Sequence, residues 1–254
     1  MEINGKVAVV VGGGSGMARA SAELLASKGA TVAIVDLPSS AGKEVAEAIG
    51  GTTSFHPLDI TDADATEATL QEVVDTHGAL HVAVNTAGGG IGKRTLSKDG
   101  PHDLESFRMV VELNLVSTFN LNRLEAWHMS KNEPEDGERG VIIDTASIAA
   151  FEGQIGQVAY SASKAGIAGM MLVMARDLGS VGIRVNAIAP SLFETGAVKG
   201  VPDEMKAKLT EGAAFPHRMG RPGEYAKLVA AIVDNPMLNG GTIRLDAGQR
   251  FSPR

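Results

Sequence analysis

Seven short apolar runs alternate with longer helix-like stretches along the chain, and this alternation constrains the fold more than any other feature. The runs are apolar almost throughout, as expected of strands that helices cover on both faces. The intervening stretches are long enough to connect parallel strands. The predicted strands span 6–11, 31–36, 53–59, 80–85, 140–147, 183–190 and 241–248, and the predicted helices span 16–28, 40–49, 62–77, 103–130, 158–180 and 222–234. The pattern predicts an α/β Rossmann fold with one doubly wound, seven-stranded parallel sheet flanked by helices, in a single domain over residues 1–254.

One segment departs from the regular pattern. Residues 191–221 are irregular and begin where a predicted strand ends. Ligands of such sheets bind outside the carboxyl ends of the strands. We therefore expect a mobile substrate lid in this segment.

Charge and composition limit the classes of partner. The net charge of −7 argues against nucleic acid or an anionic membrane as the main partner. The first apolar run, 7–11, is too short to span a bilayer, and the chain moves directly from it into a glycine loop. We expect a cytoplasmic enzyme that acts on a small molecule.

No metal site is expected. The chain has no Cys, so it has neither disulfides nor thiolate ligands. His77 and His81 have the spacing of a helical metal pair, but Gly78 interrupts the helix between them.

The stretch VVVGGGSGMARA follows the first predicted strand and opens the first predicted helix. Its glycines at 12 and 16 allow a tight turn, and the N-terminus of the following helix offers free N–H groups to a pyrophosphate. A glycine turn without a ligand looks similar, so the order of strand, loop and helix is the stronger part of this signal.

Asp36 ends the second predicted strand, twenty residues after Gly16. A carboxylate there can accept hydrogen bonds from both hydroxyls of an adenosine ribose, although it can also be an ordinary strand-end residue or helix cap. It would repel a 2′-phosphate, and the neighbouring Leu37 supplies no cation. This pattern favours NAD over NADP.

Several further motifs follow in order along the chain. They are Asp59 after the third strand, NTAG at 85–88, Asn114 in the long helix, Ser147 after the fifth strand, and Tyr160 with Lys164 in YSASK. With the glycine loop, this ordered set resembles the short-chain dehydrogenase/reductase family over nearly the whole chain. Longer stretches around 140–170, 175–196 and 235–250 are similar to its branch of type 2 3-hydroxyacyl-CoA dehydrogenases. Val11, Ala18 and Ser191 depart from the family pattern, and we expect them to change affinity rather than chemistry.

The resemblance implies the catalytic roles. Tyr160 would be the general base in oxidation and the general acid in reduction, Ser147 would hold the substrate oxygen, and Lys164 would hold the nicotinamide ribose. Asn114 would hold a water that links Lys164 to solvent. Positions i and i+4 share one helix face. We therefore expect the Lys164 ammonium, with the cationic nicotinamide ring, to lower the pKa of the Tyr160 phenol. In isolation each residue also fits a structural role, such as a cap or a solvated helix pair.

The resemblance also implies the contacts of the dinucleotide and the substrate. Gln154 and Gln157, with Ser147 and Tyr160, would face the substrate, although both glutamines also fit a polar loop. The predicted NAD-binding residues are Gly12, Ser15, Gly16, Met17, Asp36, Asp59, Ile60, Asn85, Ala87, Gly88, Tyr160, Lys164, Pro190, Phe193 and Thr195.

The implied function is an NAD-dependent oxidoreductase that interconverts a secondary alcohol and a ketone. The branch acts on (S)-3-hydroxyacyl-CoA and 2-methyl-3-hydroxybutyryl-CoA, in the breakdown of fatty acids or branched-chain amino acids. A 3-oxoacyl reductase or a hydroxysteroid dehydrogenase of the same family is an alternative. A non-catalytic dinucleotide sensor or scaffold is another, although such proteins often lose the tyrosine or the lysine. Family members are most often homotetramers, and the helices at 103–130 and 158–180 would pack against partner copies.

Overall fold

Seven parallel strands form one sheet, which confirms the predicted fold class. The computed structural model describes residues 1–196 and 202–253. The strand order is β3-β2-β1-β4-β7-β8-β9, and every neighbouring pair is parallel. The strands are β1 Val7–Val11, β2 Thr31–Asp36, β3 Ser54–Pro57, β4 Val82–Asn85, β7 Gly140–Thr145, β8 Ile183–Pro190 and β9 Thr242–Leu245.

The sheet is buried because both of its faces are apolar. Successive side chains of a strand point to opposite faces. In β1, Val9 and Val11 therefore join the apolar cluster on one side, and Ala8 and Val10 join the cluster on the other. All five residues of this strand are buried. The continuous apolar runs of the sequence are thus explained by a sheet with helices on both sides.

The helices match the predicted stretches with shorter bounds at several ends. The main helices are α1 Gly16–Ser27, α2 Gly42–Ile49, α3 Ala63–His77, α4 Leu104–Val111, α5 Ser117–Met129, α7 Val158–Leu178 and α9 Pro222–Asp234. The structure adds a two-stranded hairpin, β5 Leu96–Ser97 with β6 Gly100–Pro101, the short helices α6 Ala149–Glu152 and α8 Asp203–Leu209, and a 3₁₀ turn at Gly179–Val181.

The helix predicted over 103–130 is not uniform. A π-helical turn, Glu112–Val116, separates α4 from α5, and Asn114 lies in the middle of it. Such turns insert into α-helices mostly as single turns and often occur at functional sites.

The strand order reverses beside β1. Its chain neighbour β2 lies on one side and β4 on the other. In open parallel sheets, ligands bind at this switch point, outside the carboxyl ends of the strands. The glycine loop, Asp36 and the NTAG segment all follow strands that end there.

Part of the predicted lid lies outside the described residues. Residues 197–201 of the segment 191–221 are not among them. The described part contains α8, so the segment is less irregular than the sequence indicates. The lid function itself stays a prediction.

One helical segment of the described chain, Val158–Val181, is long and apolar enough to cross a membrane by length and composition. A core helix of a soluble protein meets the same criteria. Ile167 and Met171 of this segment are buried in the apolar cluster beneath the sheet.

Candidate active site

The glycine loop takes a conformation that requires glycine. Gly12 has φ +83° and Gly16 has φ +55°, both in the left-handed region. A Cβ at Gly12 would lie 2.8 Å from Oγ1 of Thr86. Helix α1 begins at Gly16, and the side chain of its N-cap, Ser15, makes no capping hydrogen bond. The first N–H groups of α1 are therefore available to a ligand.

Asp36 fastens the loop to the end of β2. Its Oδ2 accepts a hydrogen bond of 2.8 Å from the backbone N–H of Gly14, and its Oδ1 accepts one of 2.7 Å from Leu37. Because a carboxylate oxygen has more than one lone pair, both oxygens can still accept from a ligand hydroxyl.

A cavity of about 1130 Å³ opens between the loop, the ends of β2 and β4, and helix α4. Most of the predicted dinucleotide contacts line it. These are Gly12, Ser15, Gly16, Met17, Asp36, Asp59, Ile60, Ala87, Gly88 and Thr195. Two of the positions that depart from the family pattern, Val11 and Ala18, line it as well. Asp59 is held beside it by Thr61, whose N–H and hydroxyl donate to the carboxylate and lower its pKa.

One face of α4 and of the following π-turn also lines the cavity. These residues were not predicted from the sequence. The residues are Glu105, Arg108, Met109, Glu112 and Leu113. Their spacing of three and four places them on one helix face, which is the signal that could have identified them. Arg108 places a positive charge in the same cavity as Asp36. The preference for NAD was inferred from Asp36 and from the absence of a cation at Leu37 alone.

Lys164 is buried at the inner end of this region. Its side chain is on α7, and Nζ donates a hydrogen bond of 2.7 Å to the carbonyl oxygen of Thr145 at the end of β7. A Cβ at Gly88, which lines the cavity, would lie 3.4 Å from the same Nζ. Burial lowers the pKa of Lys164 to about 8, and the negative charge of Asp144 opposes that shift.

The protein alone shifts the pKa of Tyr160 upward, whereas the predicted lowering also depends on the nicotinamide ring. Burial raises the pKa of the phenol, and a hydrogen bond with Ser147 only partly opposes this effect. Lys164 Nζ lies 5.8 Å from the centroid of the Tyr160 ring and donates to Thr145 instead. The protein by itself therefore does not favour the phenolate. The structure does bring Tyr160, Ser147 and Lys164 together.

Asn114 connects the π-turn to the loop after β4. Its side-chain amide donates to the carbonyl oxygens of Gly89, at 2.7 Å, and Val110, at 2.8 Å, and accepts from the N–H of Gly89 at 3.1 Å. Its backbone oxygen accepts from the hydroxyl of Thr118. The side chain thus serves structure, and its predicted role in holding a water stays a prediction.

Tyr160 and Lys164, described above, are not among the residues that line this cavity, and three further predicted dinucleotide contacts do not line it either. The side chain of Asn85 is buried and bonds to Asn122, Glu125 and Asp144, because it points from β4 toward α5. Phe193 is 6% exposed and packs edge-to-face against Tyr225 in the apolar core. Pro190 is buried at the end of β8. None of these three side chains lines the cavity described above.

The two candidate substrate residues lie in the loop before α7. The side chain of Gln157 accepts a hydrogen bond of 3.0 Å from the N–H of Gln154, and Gln154 donates to the carbonyl oxygen of Ser252. Both line a second cavity of about 590 Å³, together with Arg94 and Phe151. Their contact with a substrate stays a prediction.

Within the described part of the chain, no group of three or more His, Asp or Glu could hold a metal ion. His77, considered above as a ligand, bonds through Nε2 to the hydroxyl of Ser54 at 2.7 Å.

The residues present fit a nicotinamide dinucleotide. The cavity is as large as typical cofactor sites. The left-handed glycines let backbone approach a pyrophosphate, the uncapped start of α1 faces the same space, and Asp36 stands at the far end for ribose hydroxyls.

The comparisons with known proteins identify the family. The family model for short chain dehydrogenases matches residues 6–206. The chain is 48% identical to the 3-hydroxyacyl-CoA dehydrogenase type-2 of Drosophila melanogaster, over 99% of this chain and 100% of that protein. The crystal structure of 3-hydroxyacyl-CoA dehydrogenase type-2 from Mycobacterium avium superposes with a TM-score of 0.94 at 38% identity and covers all of both chains.

A second solved structure carries a bound dinucleotide. It is a 7α-hydroxysteroid dehydrogenase complexed with NADH and 7-oxo glycochenodeoxycholic acid. Its TM-score is 0.89 at 29% identity, over 100% of this chain and 97% of that one.

Proposed function

The chain belongs to the short-chain dehydrogenase/reductase family, and on that premise we propose that it is an NAD-dependent dehydrogenase that interconverts (S)-3-hydroxyacyl-CoA and 3-oxoacyl-CoA. One observation carries the catalytic part of this proposal. Tyr160 and Lys164 lie together on α7, with Lys164 Nζ next to Gly88 of a cavity that fits a dinucleotide, and Ser147 is close enough to Tyr160 to act on the pKa of its phenol. The choice of acyl-CoA, including 2-methyl-3-hydroxybutyryl-CoA, is supported by the names of the full-length relatives.

The chain supplies the proton chemistry. A bound nicotinamide dinucleotide supplies the hydride acceptor in oxidation, the hydride donor in reduction, and a positive ring charge in its oxidised form. Ser147 orients the substrate oxygen beside the phenol. Tyr160 takes the hydroxyl proton during oxidation and returns it during reduction. Lys164, whose Nζ is held by the carbonyl oxygen of Thr145 and lies next to Gly88, would hold the nicotinamide ribose.

The preference for NAD rests on Asp36. Its carboxylate lines the cavity and is held by Gly14 and Leu37, so it cannot easily turn away from a ribose. A 2′-phosphate placed there would meet a negative charge. Arg108 lines the same cavity from α4, and because its side chain is exposed, its charge is largely screened by solvent.

We also propose that the enzyme is a cytoplasmic homotetramer with no membrane or nucleic-acid partner. Large apolar side chains are exposed along α4, the π-turn, α5 and α7. They include Met109, Val116, Phe119, Leu172 and Val173. Such a face is usually covered by a partner. Sedimentation velocity would test the tetramer, and a monomer at micromolar concentration would contradict it.

A substrate and cofactor panel tests the proposed reaction. NADH oxidation is followed by absorbance with acetoacetyl-CoA, with 2-methylacetoacetyl-CoA, with an acyl-carrier-protein-linked 3-ketone and with a ketosteroid, and each substrate is repeated with NADPH. The proposal expects the highest kcat/KM for the acyl-CoA substrates with NADH. A higher value for the ketosteroid or for NADPH would contradict it, and dinucleotide binding without turnover of any substrate would favour a sensor.

A further inference from the structure

Two carboxylates are buried together behind the catalytic lysine. Glu125 on α5 and Asp144 on β7 are both 0% exposed. Both accept a hydrogen bond from Nδ2 of Asn85, at 3.0 Å and 3.1 Å respectively, so they lie close together. Asn122 completes this group, which we call the buried carboxyl cluster: Asn85, Asn122, Glu125 and Asp144. Two ionised carboxylates in such a dry site would repel each other strongly.

The hydrogen bonds distinguish the two carboxyl groups. Asp144 accepts from two amides, at Oδ1 from Asn85 and at Oδ2 from Asn122, the latter at 2.6 Å. Among the residues that the structure describes, Glu125 accepts at Oε2 and has no partner at Oε1, and Oδ1 of Asn85 has none either. Both of these atoms are acceptors, and a proton on Glu125 would turn one of its oxygens into a donor. The geometry thus favours ionisation of Asp144 and protonation of Glu125.

Lys164 needs a counter-charge because it is 4% exposed. Its Nζ donates to the carbonyl oxygen of Thr145, the residue that follows Asp144 on β7, and the negative charge of Asp144 acts to raise the pKa of Lys164. Burial raises the pKa of both Glu125 and Asp144, and the charge of Asp144 raises that of Glu125 further.

The other titratable groups around the cluster carry little charge toward it. Tyr225 on α9 faces Asp144 from the opposite side of the sheet, and burial together with that negative charge raises its pKa. Tyr160 on α7 has a raised pKa and is neutral. Burial lowers the pKa of His128 on α5, where Lys131 opposes its protonation and Asp75 and Glu67 favour it.

We propose that Asp144 is the buried counter-ion that keeps Lys164 an ammonium, and that Glu125 stays neutral by holding a proton, which limits the cluster to one negative charge. Both are positioning residues, since neither touches the substrate or dinucleotide cavity. The charge states of these three residues do not depend on the proposed function. Only their influence on turnover rests on it.

The charge of Lys164 can be measured without turnover. Isotope-labelled lysine gives a side-chain resonance for each lysine, and the resonance of Lys164 is assigned by its loss in Lys164→Met. In Asp144→Asn, which keeps the shape and removes the charge, we expect the midpoint of its titration to fall by about 1 to 3 pH units. In Glu125→Gln, which imitates a neutral carboxyl, we expect less than half that change. Equal midpoints in Asp144→Asn and wild type would overturn the proposal.

Infrared absorption tests the proton on Glu125 independently. At neutral pH the wild type should show the carbonyl band of a buried neutral carboxylic acid, and Glu125→Gln should lack it. If Asp144→Asn fails to fold, this comparison still tests whether Glu125 holds a proton. A band that persists in Glu125→Gln, or failure of Glu125→Gln to fold, would contradict the proposal, because a neutral amide should replace a neutral acid. Neither readout depends on which substrate the enzyme uses, so failure here leaves the proposed reaction untouched.

Discussion

The side chain of Asn114 forms a pair of hydrogen bonds with the backbone of Gly89, donating to its carbonyl oxygen at 2.7 Å and accepting from its N–H at 3.1 Å. This pair joins the π-turn of the long helix to the loop that leaves β4. The neighbouring Gly88 lies between that side chain and Lys164, because a Cβ there would stand 2.5 Å from Oδ1 of Asn114 and 3.4 Å from Nζ of Lys164.

Adjacent glycines provide a matched test of this arrangement. In Gly88→Ala the methyl group collides with the amide of Asn114, so we expect turnover to fall by about 10-fold or more, since small misplacements at reacting groups are costly. In Gly89→Ala the nearest atom is Cδ2 of Leu113 at 3.8 Å, an ordinary contact. Steady-state kinetics of the two variants would check this. Equal effects of the two substitutions would show that the close approach at Gly88 has no influence.

Asp36→Ala should narrow the preference for NAD over NADP. The substitution removes the negative charge that would repel a 2′-phosphate and the acceptors for ribose hydroxyls, so we expect the ratio of kcat/KM values to drop by about 10-fold, the equivalent of one charged hydrogen bond. Asp177→Ala, at an exposed position near the end of α7, is the control. An unchanged cofactor ratio in Asp36→Ala would count against the argument for NAD.

Arg244 anchors helix α6, which precedes the loop of Gln154 and Gln157. It donates to Glu152 in α6 and, at 2.7 Å, to Asp246, and its guanidinium lies 5.5 Å from the centroid of the Phe151 ring. Arg244→Met should therefore raise KM for the substrate by about 3- to 10-fold with little change in kcat. This change corresponds to about 1 kcal/mol, the typical net contribution of one hydrogen bond.

The more exposed Arg250 shares the partners of Arg244 and gives the matched control. Arg250→Met should have a smaller effect, because exposed ion pairs contribute little. A loss confined to kcat in Arg244→Met would indicate that this residue acts on the chemical step instead.

The pH dependence of the two directions should differ. Tyr160 must be deprotonated to act as a base, and burial raises the pKa of its phenol. The rate of oxidation at saturating substrate should therefore rise as the pH increases through the alkaline range. Reduction needs the protonated phenol, so it should be steady at lower pH and decline only in the alkaline range, where the phenol loses its proton. Initial rates in both directions check this, and a rate of oxidation that does not change with pH would contradict it.

Much of the fold could be predicted from the sequence because its signals are local. Continuous apolar runs such as VAVVV in β1 indicate strands buried on both faces, and the order of strand, glycine loop and helix placed Gly12 and Gly16 correctly in the cavity. The hairpin at 96–101 was missed because its strands have two residues each and no buried residue that would give an apolar pattern. The π-turn at Asn114 was missed because it depends on a tertiary contact. The side chain of Asn114 bonds to the backbone of Gly89, in the loop after β4.

The rest of the site depends on tertiary contacts. Nothing in the sequence near Asn85 indicates that its side chain turns toward Glu125, forty positions along the chain. Phe193 looked like a ligand contact by position, yet packing against Tyr225 keeps it in the core. Whether the pKa of Tyr160 is raised or lowered depends on its burial and on the acceptor to which Lys164 donates. Helix spacing determines neither.

Tyr160 carries the proton of the reaction, and the variant Tyr160→Phe removes the hydroxyl that would carry it. Turnover of acetoacetyl-CoA with NADH is measured alongside the dissociation constant of NADH by fluorescence in the same preparation. We expect kcat to fall by at least about 100-fold, the usual contribution of a positioned acid or base, with NADH affinity nearly unchanged. A variant that keeps wild-type kcat would contradict it.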